Sequence, residues 1–288
     1  MLAGFLPLLV LAVAGCSSSR GASVSIDPNI FLNAIIHPDG PIINGLYLTI
    51  FVSIIAQLIG VTLGIFAALG KMAKFPLFRI IANLYIWFFR GTPLLVQLAF
   101  LFYGIQSAHL LAWPTIELFG FTVTQEVLAG TIILGVNEGA YMAEIVRAGI
   151  LSIDPGQNEA AKSLGMNYAQ TMRRIVLPQA ARVIMPPLGN EFNNMLKNTS
   201  LLMVLGTYEL YNTFASKAGL AYQWFEFMGA CCVWYLILTT IWGFAQAWIE
   251  RRFSKGTTSS SGGPSWRDRI FGGRRSDAGE EIAVLGGH

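Results

Sequence analysis

Charge is what this sequence has least of. Only 12% of its 288 residues are charged and 54% are hydrophobic, with a mean hydropathy of +0.55, whereas soluble globular chains carry about 25% charge. That shortage excludes an ordinary soluble domain, which needs a polar surface. Cysteine and histidine are equally sparse. The three cysteines, Cys16, Cys231 and Cys232, cannot build a disulfide framework. Cys231 and Cys232 are neighbours, where a bridge would be strained, and read as small apolar packing residues. The three histidines, His37, His109 and His288, lie far apart and form no metal or triad pattern, so neither metal nor cofactor is expected in this chain. A glycine-rich phosphate loop is also missing, since Gly70 followed by Lys71 and Met72 fails the Gly-Lys-Ser/Thr ending. A nucleotide-hydrolysing enzyme is thereby excluded.

What the chain does have is long apolar runs. A helix crossing bilayer hydrocarbon needs about 20 predominantly apolar residues. Ile42 to Gly70 contains no ionisable residue, Gly91 to Ile116 only His109, and Leu220 to Ile249 only Glu226. Val127 to Ile150 and Val183 to Tyr208 are apolar with a few charges. None shows the polar stripe of a soluble bundle helix. The expected fold class is an all-α membrane protein with five transmembrane helices. Lys and Arg concentrate in cytoplasmic loops. Here they follow the first run (Lys71, Lys74, Arg79), surround the loop after the third (Arg147, Lys162, Arg173, Arg174, Arg182) and crowd the tail from Arg251 onward. The N-terminus is therefore expected outside and the C-terminus in the cytoplasm. His109 falls at the outer edge. Tyr222, Trp224 and Phe225 at one end of the last run, with Trp242 and Trp248 towards the other, fit interfacial belts.

Three segments follow: 1–41, signal-like or extracytoplasmic; 42–252, transmembrane; and 253–288, a Ser/Gly-rich tail expected to be disordered. Leu2 to Gly15 is apolar but short, followed by polar Ser17 to Arg20, as in a signal peptide. Val13, Ala14, Gly15 and Cys16 resemble a bacterial lipobox, which would lipidate Cys16. A processed signal and an uncleaved hydrophobic segment both fit.

The loop after the third run reads as two short helices defined by their caps. Asp154 caps the first, with Pro155 at its first position and Gln157 as a capping-box variant. Gly165 closes it in a left-handed turn. Asn167 and Gln170 open a second helix, expected to end near Leu177 because Pro178 disfavours helical geometry before it. Ala160 and Ala161 give the first helix a smooth side for a partner surface. Glu159, Lys162, Arg173 and Arg174 add charge at its rim.

The spacing of Glu159, Ala160, Ala161, Gly165, Ile175, Leu177 and Pro178 resembles the E-A-A loop of permease subunits of bacterial ABC importers, with every fixed position present. In that family the loop is a coupling helix seated in a groove of a cytoplasmic ATPase. A second match is Arg90, Gly91, Thr92, Pro93 and Leu94, which resembles the R-G-T-P-L signature of the polar amino acid permeases, the histidine, glutamine and arginine type. Gly139 to Ile150 and Lys197 to Leu201 are similar to further segments of that group. The resemblance covers Asn44 to Arg252. It implies a permease in a bacterial inner membrane, paired with a second copy or a related chain. It also implies a dimer of ATPase subunits that bind ATP, an extracytoplasmic substrate-binding protein, and inward transport of an amino acid by alternating access.

Polar residues inside spans mark the candidate pathway, because each is costly in lipid. Asn190, Asn194 and Asn198 recur at four-residue spacing on one helical face, with Glu191 and Lys197 beside it. Pro186 and Pro187 are expected to break regular hydrogen bonding just before this face, freeing backbone groups at the pathway. Glu138 in the third run faces the pathway or pairs across it. A substrate path and a packed polar seam between helices or subunits are both compatible with this face. Arg90 is read as reaching the headgroups, and Glu144 with Arg147 as a local pair. Gly60 and Gly64 read as a helix-packing motif. The alternative function is a non-transporting assembly or sensor subunit that docks an ATPase. A scaffold of that kind has no use for a polar face in the fourth run.

Overall fold

The computed structural model describes residues 26–118 and 121–253, so Cys16 and the tail lie outside the described residues. Helix α1 (Pro28–Ile36) opens on Asp27, whose side chain accepts from the Asn29 N–H. Helix α2 (Gly40–Met72) opens in the same way on Asp39, which accepts from Ile42. Its 33 residues make a rod about 50 Å long at the usual rise per residue. Helix α3 (Pro76–Gly91) follows after a three-residue turn. Helix α4 (Leu94–Ser107) then leaves at 106° to it and contains a wide π-helical turn at Phe100–Gly104.

Between α4 and α5 lies the one departure from all-helical architecture among the described residues. Strands β1 (Ile116–Leu118) and β2 (Phe121–Val123) pair antiparallel, Ile116 opposite Val123. Helix α5 (Gln125–Leu151), α6 (Pro155–Ser163) and α7 (Tyr168–Thr171) come next, and a π-helical turn at Met172–Val176 leads into α8 (Leu177–Asn198). The described residues end with a 3₁₀ stretch (Thr199–Leu205), α9 (Leu210–Ala221) and α10 (Trp224–Phe253).

Helices α2 and α10 are each long and apolar enough to cross a membrane, and α3 with α4 qualifies as one bent span. The second apolar run is thus not one straight helix from Gly91. Proline at position 93 has no N–H to continue α3, and α3 itself supplies the other half of the span. Large apolar side chains on α2, α3 and α10 point outward, including Phe66, Trp87 and Phe244, each more than two-thirds exposed. Exposed apolar surface on this scale suits contact with lipid.

One further expectation, about a helix end, is corrected by the structure. The segment from Tyr168 does not stop near Leu177. Its backbone widens into the π turn, where the Leu177 N–H bonds the Met172 carbonyl five residues back, and Pro178 falls in the first turn of α8. Helix α8 runs through Pro186 and Pro187. Their fixed φ is helical, so they remove two backbone donors while the rod persists.

Glycine sets the closest packing. Helices α2 and α5 run side by side in the same direction, and Gly60, Gly64, Gly135 and Gly139 line the seam. A Cβ on Gly60 would stand 2.5 Å from Glu138 Cγ, and one on Gly64 2.3 Å from Met142 Cβ. A hydrophobic cluster of Val52, Ala56, Leu98, Ile133, Met195 and Leu202 joins this pair to α4 and α8. A second joins α1, α2, α9 and α10 through Ala34, Ile42, Leu210, Phe214 and Cys231. Cys231 is buried in that cluster and Cys232 is exposed, both as free thiols.

Buried polar groups fasten the same helices. Glu209 caps α9 by accepting from the Tyr211 and Asn212 N–H groups, both at 2.8 Å, and from the Tyr235 hydroxyl of α10. Glu226 in the first turn of α10 accepts from the Asp27 N–H ahead of α1, and Trp234 donates to the Ala34 carbonyl. Asp39 pairs with Lys217 of α9.

Packing at the seam makes a direct prediction. Gly64→Val is expected to destabilise the protein by roughly 1–3 kcal/mol through overpacking. Gly40→Ala, where a Cβ meets nothing within 4 Å, should stay within about 0.5 kcal/mol. Thermal unfolding of the detergent-solubilised chain followed by circular dichroism measures both; equal midpoints would show that the seam is not a tight contact.

Candidate functional site

The loop joining α5 to α8 is ordered by its own hydrogen bonds. Asp154 Oδ1 accepts from the Gly156 N–H at 2.8 Å and its carbonyl from the Gln157 N–H at 3.0 Å, with Pro155 at the first position of α6. The expected reciprocal bond from the Gln157 side chain is not made among the described residues. At the far end Gly165 adopts φ +74°, which any residue with a Cβ would resist. Its N–H bonds the Lys162 carbonyl and that of Met166 bonds Ala161, which closes the helix. Helix α7 has a complete capping box: Asn167 Oδ1 accepts from the Gln170 N–H at 2.9 Å, and Gln170 Oε1 from the Asn167 N–H at 3.0 Å.

The loop presents a mixed surface. Glu159, Ala160 and Gly165 are exposed, and nothing lies within 4 Å of a Cβ built on Gly165. Ala161 is instead turned inward and buried, so only Ala160 offers the smooth exterior expected of the pair. Leu164 and Tyr168 are 81% and 79% exposed, large apolar groups on an otherwise polar loop. Ile175 is half-buried, while Leu177 and Pro178 are exposed at the start of α8. A groove lined by Met72, Ile150, Pro155, Lys162, Tyr168 and Met172 runs between this loop and the ends of α2 and α5. Beside it, Glu144 Oε1 accepts from Lys71 at 2.5 Å and Oε2 from Arg147 at 2.9 Å, so the local pair includes a residue of α2.

The polar face of α8 is open. Asn190, Asn194 and Lys197 are exposed and Glu191 is half-buried. Asn194 donates to Glu191 Oε2 at 3.3 Å, and Asn190 Oδ1 accepts from Gln246 of α10 at 3.1 Å. Gln246 also donates to Glu250, and Trp242 donates to the Gly189 carbonyl, so α10 holds α8 from the other side. Glu138 does not share this exposed face. It is 3% exposed and accepts from Gln57 Nε2 of α2 at 3.2 Å.

The break between α3 and α4 carries Arg90, Gly91, Thr92 and Pro93. Arg90 is exposed, its guanidinium 5.4 Å from the centre of the Tyr141 ring on α5. Thr92 donates to the Phe88 carbonyl. Because Pro93 lacks an N–H, the Phe89 carbonyl loses its helical donor. Gln97 and Asn137 replace it at 2.9 and 3.1 Å, and Asn137 donates again to Gln97 Oε1. Gln57 and Asn137 were not among the residues singled out from the sequence. The signal was there, since each is an uncharged polar group inside an apolar run.

Comparison with known proteins gives a consistent result. The model of the family described as binding-protein-dependent transport system inner membrane component matches residues 60–255. The arginine transport system permease protein ArgU of Corynebacterium glutamicum is 43% identical over 216 residues, covering 73% of this chain and 67% of the relative. The probable amino-acid permease protein YxeN of Bacillus subtilis is 38% identical, covering 74% of this chain and 92% of its own length. Among solved structures, an amino acid ABC transporter crystallised with histidines superposes with a TM-score of 0.65 at 38% identity, over 74% of this chain and 94% of the other.

Asn167→Ala removes the side-chain half of the α7 capping box. It is expected to cost about 1 kcal/mol locally, seen as faster amide hydrogen exchange across Tyr168 to Thr171 while α2 and α5 keep their protection. Unchanged exchange in α7 would mean that packing, not the cap, orders this turn.

Proposed function

As a member of the binding-protein-dependent transport inner membrane components, the chain is the permease subunit of an ABC importer, and we propose that its cargo is a polar or charged amino acid. The observation that carries this reading is the open polar face of α8, with Asn190, Glu191, Asn194 and Lys197 beside apolar spans. In lipid such a face is costly, and lining a solvated path removes the cost. Relatives named for arginine and glutamine transport support the same substrate class. A docking-only scaffold is disfavoured because it gains nothing from this face.

The five spans of the proposed subunit are α2, the bent α3–α4 pair, α5, α8 and α10, within a transmembrane unit of residues 42–252. Residues 1–41 precede it as a signal-like or extracytoplasmic segment, and 253–288 follow it as a cytoplasmic tail. Two such chains, identical or related, enclose the path. The α6–α7 loop is the coupling element. Glu159, Ala160 and Gly165 face an ATPase subunit that binds ATP, and Ile175, Leu177 and Pro178 connect the loop to α8. Leu164 and Tyr168, exposed beside Gly165, offer apolar contact in the ATPase groove. Because the loop runs through the π turn into α8 without an interruption, displacement of the loop is delivered to the helix that carries the polar face. Glu138, buried behind that face, supports the path from α5. A binding protein delivers the amino acid on the opposite side.

Gly165→Asp is expected to leave membrane insertion intact and to abolish co-purification of the ATPase, because a charged side chain enters the contact and the left-handed turn is strained. Loss of insertion instead would assign Gly165 a purely structural role. The substrate reading is tested by ATP-dependent accumulation of radiolabelled basic, acidic and amide amino acids in vesicles containing the full complex with its binding protein. Accumulation of one class is expected. Failure of every amino acid to accumulate, with ATP hydrolysis intact, would overturn the amino acid assignment.

A further inference from the structure

Glu138 sits where a charge is hardest to keep. It lies thirteen residues from both Gln125 and Leu151, the two ends of α5, with about 20 Å of helix each way. Its partner Gln57 is likewise near the middle of α2 (Gly40–Met72), which is long and apolar enough to cross a membrane. Both residues are buried, at 3% and 5% exposure. A Cβ on Gly60 would meet Glu138 Cγ at 2.5 Å and Cβ at 2.7 Å, so on that side the side chain rests on backbone and not on water. An ionised carboxylate in such a place needs a cation. The three ion pairs among the described residues use Glu144 and Asp39, and none includes Glu138.

The surrounding helices offer no such compensation. On α5 itself, Arg147 is engaged by Glu144, which also holds Lys71 of α2. On α3 the Tyr85 hydroxyl is spent on the Val136 carbonyl at 2.6 Å. On α4 the nearby polar group is the uncharged Gln97, already bonded to Asn137. From α8 the charge that bears on Glu138 is Glu191, of the same sign. What α2 supplies is one amide: Gln57 Nε2 donates to Glu138 Oε1 at 3.2 Å and lies 3.7 Å from Met142 Sδ. The other end of that amide, Gln57 Oε1, is buried and has no donor among the described residues. Turning the amide over would instead set an oxygen against Glu138 Oε1. A carboxyl without a counter-charge therefore stands beside an acceptor without a donor.

A single proton supplies what each lacks. We propose that Glu138 is held as a neutral carboxylic acid whose O–H donates to Gln57 Oε1, while Gln57 Nε2 donates back to Glu138 Oε1. The two hydrogen bonds close a ring between acid and amide, so α2 and α5 share one bound proton at the middle of their seam. That proton comes from water, and no other group changes. The residue types suit the role, because a glutamine amide presents one donor and one acceptor in a plane, matching the C=O and O–H of an acid. Neutral and fully bonded, the pair is cheap to bury, and the glycine seam can close over it. Ionised, Glu138 would leave Gln57 Oε1 unpaired and would repel Glu191 across the contact between α5 and α8. The site does not depend on which cargo is carried.

Infrared difference spectroscopy of the permease–ATPase complex in nanodiscs at neutral pH, wild type against Glu138→Gln, reads the proton directly. The wild type is expected to show the carbonyl band of a protonated carboxylic acid, shifted in deuterium oxide and missing from Glu138→Gln. Gln57→Leu removes the ring partner and should move that band to higher frequency, as for a carbonyl that has lost its hydrogen bond. Thermal unfolding supplies a second readout. Glu138→Gln keeps a two-bond ring and should unfold within about 2 °C of the wild type, whereas Glu138→Leu, which strands Gln57, should unfold at least about 4 °C lower. Carboxylate bands alone in the wild type overturn the proposal, as does an acid band that Gln57→Leu leaves unmoved. A Glu138→Gln chain that fails to assemble, or unfolds as early as Glu138→Leu, also overturns it, since the negative charge itself would then be required.

Discussion

The Phe89 carbonyl is the point on which the arrangement turns. A proline four residues later removes its helical donor, and in a span without water an unsatisfied carbonyl costs several kcal/mol. Gln97 and Asn137 fill the vacancy from two different helices, and Asn137 also engages Gln97. One missing hydrogen thus ties the bend to α5. With α4 held there, its Leu98 and Phe102 join the cluster that also seats Leu202 and Met195, so the position of α8 follows from the same repair.

Elsewhere the structure relies on close backbone approach. Apolar association between spans gains little from water exclusion, and shape complementarity takes over. The α2–α5 seam supplies it with glycines on both sides, and the buried Gln57–Glu138 hydrogen bond sits inside that contact. At the other end of the molecule a single carboxylate, Glu209, links α9 to α10, while the Thr49 hydroxyl of α2 accepts from the adjacent Leu210 N–H. Polar groups here serve as fasteners between helices that otherwise present apolar surface to one another.

Much of this was legible from the residues. Asp154, Gly165 and the Asn167–Gln170 pair announce the loop because caps and left-handed turns are local chemistry, decided within four residues. Gly60 with Gly64, and Glu144 with Arg147, are visible for the same reason. The misread features are those decided by tertiary partners. Pro178 looks like a stop, yet a π turn accommodates it and the helix continues. Gly91 and Pro93 mark a break between two helices, whereas the 106° angle there depends on donors at Gln97 and at distant Asn137. The polar face of α8 is visible as a periodicity, whereas its position beside α5 depends on how the two helices are packed.

The glycine seam has a mechanical meaning. Where side chains interdigitate, two helices can exchange rotamers and creep past one another. Where one backbone rests on the other's Cβ atoms, no such slack is present. Helices α2 and α5 therefore behave as one stiff beam, and a push arriving at the Leu151 end of α5 reappears at the far end of α2 without being absorbed between them.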